Sequence, residues 1–504
     1  MTRYTGRPEA GRTTHCNMLI VGAGFAGMAL AARTLKEDPS ADLLVIDRGH
    51  DVGGTWRDNT YPGAACDVPT VLYSFSFAPH AEWSHTFARG PEIYSYLRKV
   101  ADNFGIREHL VTDCELLSAE WDDTAQQWDV TTSVGPMTAK ILVAATGTLS
   151  TPSLPDVPGR DEFVGSMFHS ATWDHDVDLR GKKIAVVGTG ASAVQFVPEI
   201  ADDAEHLYVF QRTPAWVIPR VDRTRGNLER WAYRRLPITQ KFMRGAIYGY
   251  RELYVEMMAK RPRLLAIAHR VAQAHMRLQV SDPRLRRELT PDFVIGCKRM
   301  LLSNDWLKTL DRPDVDLVPS RLTAMTENAV VDADGREYPV DAVIFGTGFT
   351  PTEPPVAHLI TGRDGRTLAE RWAGSPSAFR GTTISGFPNL FMMYGPNTNL
   401  SHSSIVYMLE SQSAYIESAV ETMAARGITS VEVTDSAQRR YNDDLDSRLE
   451  GTVWNTGGCS SWYLDASGRN SAMWPSFTWQ FRNQTKHFDL ENYKTRTAEK
   501  VVTV

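Results

Sequence analysis

Two glycine clusters and one aromatic stretch carry the residues whose types and spacing could do chemistry. In "NMLIVGAGFAGMALAARTL" an apolar run ends in Gly22, Gly24 and Gly27 and passes directly into an Ala- and Leu-rich helical pattern. Gly22 permits a tight turn, Gly24 leaves the backbone open to a diphosphate, and Gly27 lets helix lie close on strand. The helix that follows aims unpaired N–H groups and the positive end of its dipole at the phosphates. A second strand, "ADLLVIDR", ends at Asp47, whose carboxylate is placed to accept ribose hydroxyls. The same order recurs in "KKIAVVGTGASAVQFVPEI", with Gly188, Gly190 and Ala193. Here the next strand, "HLYVFQRTP", ends in Gln211, Arg212 and Thr213 instead of an acid. A guanidinium in that place suits a ribose 2′-phosphate. Two dinucleotides are implied, the second of them NADPH.

The aromatic stretch is "FVGSMFHSATWDHD", just upstream of the second glycine cluster. Its apolar residues are spaced too irregularly for one helix face and do not alternate cleanly enough for a strand. Taken alone it reads as a loop from surface to core, with His169 and Trp173 as packing residues. A further segment, "GGTWRDNTYPGAACD", is rich in turn formers and aromatics and follows the first unit. Such a loop can lie against a flat isoalloxazine ring.

The elements that must position these residues fit an α/β chain of several domains. At 504 residues the chain exceeds one hydrophobic core, and 42% hydrophobic with 23% charged residues is ordinary for a globular protein. A net charge of −6 gives no electrostatic footprint for nucleic acid. The opening "MTRYTGRPEAGRTTHCN" lacks the apolar core of a secretory signal, so a cytoplasmic location is expected. The apolar run Met18 to Ala32 falls short of the ~20 residues of a membrane span. Five cysteines, at positions 16, 66, 114, 297 and 459, form no CxxC pair, so neither a disulfide framework nor a metal site is expected. Strands ending in Thr-Gly, "KILVAATGTLSTP" and "DAVIFGTGF", have the look of connections between two nucleotide domains. Between about 225 and 290 the sequence turns rich in Arg, Leu, Ala, Tyr and Met at helical spacing. That segment reads as a helical insertion whose basic residues form a solvated face rather than one that touches a membrane. The acidic-looking "DRPDVDLVP" reads as a linker.

With both cradles placed, the longer motifs carry a resemblance. Phe163, Gly165, His169, Trp173 and Asp174 match the FxGxxxHxxxW(P/D) fingerprint of type I Baeyer–Villiger monooxygenases, in its usual place before the second glycine motif. Gly54, Trp56, Tyr61, Pro62, Gly63 and Asp67 resemble the same family's second signature. The resemblance implies two Rossmann-like domains, for FAD and NADPH, with a helical insertion in the NADPH domain. It divides the chain into 1–150 and 349–504 for FAD, 151–225 and 291–348 for NADPH, and 226–290 for the insertion, the last FAD segment carrying the active-site loop. It assigns Phe25, Arg48, Thr55 and Tyr73 to the flavin site beside the glycines, Asp47, Trp56 and Asp67, and Thr189, Ser192, Gln195, Arg212 and Thr213 to the nicotinamide site. "PDFVIGCKRML" resembles the segment whose Lys assists the 2′-phosphate and whose Arg faces the flavin, which gives Lys298 and Arg299 those roles. Asp67 then directs Arg299, Trp462 in "SSWYLD" closes over the nicotinamide end, and His169 serves as a hinge and hydrogen-bonding residue. "GFPNLFMMYGPNTNLSHSS" resembles the flavin-domain return in its "GPNT" form, closer to aryl-ketone branches than to cyclic-ketone ones.

The implied activity inserts one oxygen atom of O2 beside a ketone carbonyl through a flavin C4a-peroxide, giving an ester or lactone. Small-molecule ketone and O2 are the partners, and no protein partner is implied. The alternative is a flavin-containing monooxygenase that oxidises amines or sulfides and needs no anion-holding Arg. A non-enzymatic flavin fold is a third reading, against which the intact glycines at both cradles stand.

Overall fold

The computed structural model describes residues 12–350 and 354–497. The first eleven residues of the polar opening segment therefore lie outside the described residues. Strand β1 (Thr14–Val21) leads into helix α1 (Phe25–Glu37) and strand β2 (Leu43–Ile46). A loop with the short helix α2 (Thr55–Asp58) and then α3 (Gly90–Asn103) follow, before β3 (Leu110–Val111) and the antiparallel meander β4 (Leu116–Asp122), β5 (Gln127–Thr132) and β6 (Gly135–Ala144). β1 lies between β2 and β6, parallel to both, and its last four residues, Met18 to Val21, are all buried. A strand covered on both faces reads as a continuous apolar run, which is why "MLIV" does not alternate.

The second unit repeats this plan. β7 (Ser166–His169), β8 (Lys183–Val187), α4 (Ala191–Ile200) and β9 (His206–Phe210) lead through the short β10 (Val217–Ile218) to helices α5 (Asn227–Arg235), α6 (Pro237–Val255), α7 (Leu265–Gln279) and α8 (Pro283–Glu288). β11 (Leu301–Leu302), α9 (Trp306–Leu310), β12 (Val315–Val318), the hairpin strands β13 (Leu322–Met325), β14 (Ala329–Asp332) and β15 (Glu337–Pro339), and β16 (Ala342–Phe345) complete it. The five-stranded parallel sheet runs β12, β9, β8, β16, β7. The chain then returns to the first sheet: β17 (Ile360–Thr361) joins β4, and β18 (Leu390–Met392), beyond the short α10 (Leu368–Trp372), joins β6. Helix α11 (Ile405–Arg426) packs beside α1. The fold is thus α/β, with one mixed and one parallel sheet unit and a block of helices inserted in the second.

Three sequence expectations are corrected. "FVGSMFHSATWDHD" is not wholly loop, because Ser166–His169 forms β7, hydrogen-bonded to β16 at the sheet edge. Edge strands of four residues are too short to show alternation. "DRPDVDLVP" is no linker either: Val315–Val318 pairs with β9, with Val315 and Val318 buried. Finally, Cys297 and Cys459 form a disulfide across 162 residues of sequence, while Cys16, Cys66 and Cys114 are free and buried. Long separation leaves no local spacing signal by which that pair could be recognised.

Candidate active site

At the first glycine loop, Gly22 has φ +109°, and a Cβ there would lie 2.5 Å from the Ala145 carbonyl oxygen. A Cβ on Gly27 would lie 1.9 Å from the Gly22 oxygen, so only glycine lets α1 start this close to β1. Gly22, Gly24, Phe25, Gly54, Thr55, Trp56 and Tyr73 border one cavity of about 1140 Å³. That exceeds the ~300–1,000 Å³ usual for small-ligand sites and leaves room for more than one large ligand. The aromatic wall is braced internally: Trp56 Nε1–H donates to Tyr73 Oη at 3.0 Å, and the Phe25 and Tyr73 rings meet edge to face, 4.9 Å apart. Ser403 Oγ sits buried in the cavity wall with no protein partner, a hydroxyl that a bound group would satisfy.

Asp47 also borders this cavity, but its oxygens are largely committed. Oδ2 accepts from Ala23 N–H at 2.7 Å, and Oδ1 accepts from Gly49 N–H at 2.8 Å and from Arg57 Nη1 at 2.7 Å. Its first task is therefore to hold the turn, with residual lone pairs left for a ribose. Arg57, 5% exposed in its side chain, was not singled out in the sequence, since no local spacing marks it as the partner of Asp47. Arg48 is anchored through Nη2 to Ser150 O at 2.6 Å.

Gly188, Thr189, Gly190 and Ser192 form the second cradle on the same cavity, together with Arg212, Thr213 and Lys298. Desolvation lowers the Lys298 pKa, and the Arg212 charge lowers it further. Two cations that repel each other at one cavity wall are what a dianionic phosphate neutralises. Ala193 is fully buried and serves helix-on-strand contact instead of the cavity. Gln195 is spent on the aromatic loop: its amide exchanges hydrogen bonds with the Ala65 backbone at 2.9 and 3.2 Å and accepts from Tyr61 O–H at 3.0 Å. It thereby ties α4 to the loop of the first unit while still bordering the cavity.

Between the two cradles stands an ion pair. Arg299 Nε donates to Asp67 Oδ2 at 2.9 Å and Nη2 to Oδ1, a bidentate fork. The Arg299 side chain is 45% exposed, opening on the cavity, and Asp67 is the more enclosed at 19%. Burial opposes ionisation of Asp67, but the Arg299 charge and hydrogen bonds outweigh it and hold the carboxyl below its usual range. The Asp67 charge in turn raises the Arg299 pKa. Because the carboxyl pKa is depressed on folding, the pair's stabilisation is present above the ordinary carboxylate value of about 3.9 and is lost as pH falls through the lower folded value. Asp67→Asn should therefore destabilise the protein at pH 7 by an amount between the ~1 kcal/mol of exposed pairs and the 3–5 kcal/mol of buried ones. Denaturant midpoints of the two proteins should converge below pH 4, and a gap that persisted there would mean the charge is not what the pair contributes.

Trp462 lines the cavity with Ser460 and Ser461, 41% exposed and edge to face with Tyr463. The disulfide joins this loop to the Lys298 and Arg299 segment, so the two walls are covalently linked. Tyr394, from the return segment, also borders the cavity, a residue the sequence reading did not single out. His169 lies outside the cavity wall. It ends β7, 3% exposed, with Nδ1 accepting from Ala171 N–H at 3.0 Å and its ring against Phe349. Burial lowers its pKa.

An α/β protein with two glycine cradles on one cavity, Arg212 and Lys298 at the second and the Arg299–Asp67 pair between them, has the site of a two-dinucleotide oxidoreductase. A family model for pyridine nucleotide-disulphide oxidoreductases matches residues 19–247. The chain is 48% identical to a Baeyer-Villiger monooxygenase of Streptomyces coelicolor over 481 residues, covering 95% of this chain and 92% of that one. Among solved structures, an oxidised steroid monooxygenase bound to NADP superposes with a TM-score of 0.85 at 30% identity, covering 96% and 99% of the two chains. The complex of OTEMO with FAD and NADP gives 0.86 at 25%, covering 96% and 100%. The chain belongs to the Baeyer–Villiger monooxygenases.

Proposed function

We propose that FAD occupies the first cradle and NADPH the second, and that Arg299, aimed by Asp67, is the centre at which oxygen enters a ketone. Bound FAD, reduced by NADPH, supplies two electrons and activates dioxygen. The ketone leaves as an ester or lactone carrying one oxygen atom, and the other oxygen departs as water. The protein's part is electrostatic. Arg299 keeps its charge at any working pH, so it can stand against negative charge that develops beside the carbonyl without changing protonation itself. Asp67 fixes the direction of the fork, and Trp462 with its loop covers the cavity and limits water. Arg212 and Lys298 hold the 2′-phosphate. The observation that carries the reading is the Arg299–Asp67 pair on a cavity shared by both glycine loops.

Under the same reading, residues 1–150 and 349–504 serve FAD, 151–225 and 291–348 serve NADPH, and 226–290 is the inserted helical block. The reaction asks for ketone and O2 and for no protein partner. Its demand for NADPH suits the cytoplasm; no helix among the described residues is long and apolar enough to cross a membrane. The test is to add NADPH anaerobically, expecting the flavin colour to bleach, and then to score aryl, linear, alicyclic and polycyclic ketones for substrate-dependent NADPH consumption with ester formation. Bleaching without an ester from any class would overturn the assignment.

His169 is proposed as a positioning residue at the crossing between the units, since it sits beside the Gly346–Phe349 connection. His169→Ala should keep FAD and its reduction by NADPH, yet lose turnover several-fold as closure becomes imprecise. The telling readout is the fraction of NADPH diverted to hydrogen peroxide, which should rise; an unchanged fraction with full turnover would make His169 a packing residue.

A further inference from the structure

Helix α6 carries an apolar stripe on its outer face. At 3.6 residues per turn, Ile238, Phe242, Gly245, Ala246, Gly249 and Leu253 fall on one stripe about 100° wide. A helix on a globular protein buries such a stripe. Here every one of these residues is exposed, Ile238 at 69%, Phe242 at 76% and Leu253 at 62%. The inward side packs Ile247, Tyr248 and Val255 on the protein and adds polar anchors: Gln240 donates to His80 O at 2.8 Å, Arg244 to Val71 O at 2.6 Å, and Glu252 accepts from Thr478 N–H and Oγ1 at 2.9 and 2.8 Å. α5, which packs against α6, also exposes Leu228 and Trp231. Farther along the insertion, α7 exposes Ile267, Val271 and Leu278 with Arg270 and Arg277, and Arg263 is exposed just before it.

Charge decides what such a face can meet. Residues 227–288 hold fourteen Lys and Arg against five Asp and Glu, in a chain whose net charge is −6. A second copy docking by two-fold symmetry would bring two such cationic faces together, which like-charge repulsion opposes. An anionic bilayer offers what both features need: phosphate oxygens for the guanidinium groups and a headgroup boundary for the apolar side chains. Against the solvated face that the charge pattern alone suggested, we propose that the exposed apolar and basic residues of α5 to α7 form a peripheral docking surface for anionic phospholipid membranes.

The test uses the full-length holoenzyme and sedimentable vesicles of phosphatidylcholine, with and without phosphatidylglycerol as one lipid in three. The protein should sediment with the anionic vesicles at low salt and be released as ionic strength rises. The triple change Ile238→Glu, Phe242→Glu, Leu253→Glu should abolish sedimentation while leaving flavin content and ketone turnover in buffer intact. Each of Arg263→Ser, Arg270→Ser and Arg277→Ser should weaken binding about fivefold. Wild-type protein that stays in the supernatant at low salt, or a triple variant that still sediments, would overturn the proposal. So would a dimer dispersed by the same triple change without vesicle binding, which would give the face to a second copy.

Discussion

Arg299→Ala is expected to remain yellow, to take up NADPH, and to make no measurable ester from any ketone. Loss of one oxyanion-stabilising donor commonly costs ~100- to 1000-fold in rate, and here a whole charge is lost from the cavity, so the upper end applies. The cofactor should stay because its cradle is built from Gly22, Gly24, Gly54 and the Trp56 and Tyr73 wall, none of which depends on Arg299. Arg299→Lys should rescue little: an ammonium lacks the planar fork that meets both Asp67 oxygens while still facing the cavity. Flavin absorbance gives retention, and chromatography of products gives the loss. Ester formation near the wild-type rate in Arg299→Ala would remove this residue from the reaction.

The second large effect falls on coenzyme choice. With Arg212 and Lys298 on one wall, Arg212→Ala should lose a charge-assisted contact worth ~1.5–3 kcal/mol, or about 10- to 150-fold in kcat/KM for NADPH. NADH has no 2′-phosphate, so its use should barely change. The double change with Lys298→Ala should add to the effect, and two cations that share one phosphate, as proposed, should not be strictly additive. Equal losses with NADH and NADPH would mean that Arg212 supports the fold of the cradle instead of reading the phosphate.

The glycine loops were legible because each is a local pattern: a strand, a turn and a helix start lie within about ten residues, and their spacing has a geometric reason; Arg299 and Asp67 carry no such spacing and were reached only through the family resemblance of their segments. What escaped were pairings between distant parts of the chain. Cys297 finds Cys459, and Gln195 finds Ala65 across 130 residues, through folding alone. Asp47 illustrates a subtler limit: the strand end was read as a ribose acceptor, yet Arg57, ten residues on, claims it first. The helical insertion shows a third. Periodicity reports which residues of α6 share a face, but whether that face turns inward is settled by polar contacts such as Glu252 with Thr478, and these turn it outward. The four-residue β7 was missed because two residues per face carry no pattern.

The central claim is that this chain places one atom of dioxygen beside a ketone carbonyl. It is tested most directly by turnover under 18O2, with NADPH and the best ketone of the panel, followed by mass analysis of the product. The account predicts an ester or lactone carrying a single 18O in the bridging position, with one NADPH consumed per ester formed. Unlabelled ester, or label found only in a sulfoxide, an N-oxide or free hydrogen peroxide, would contradict it.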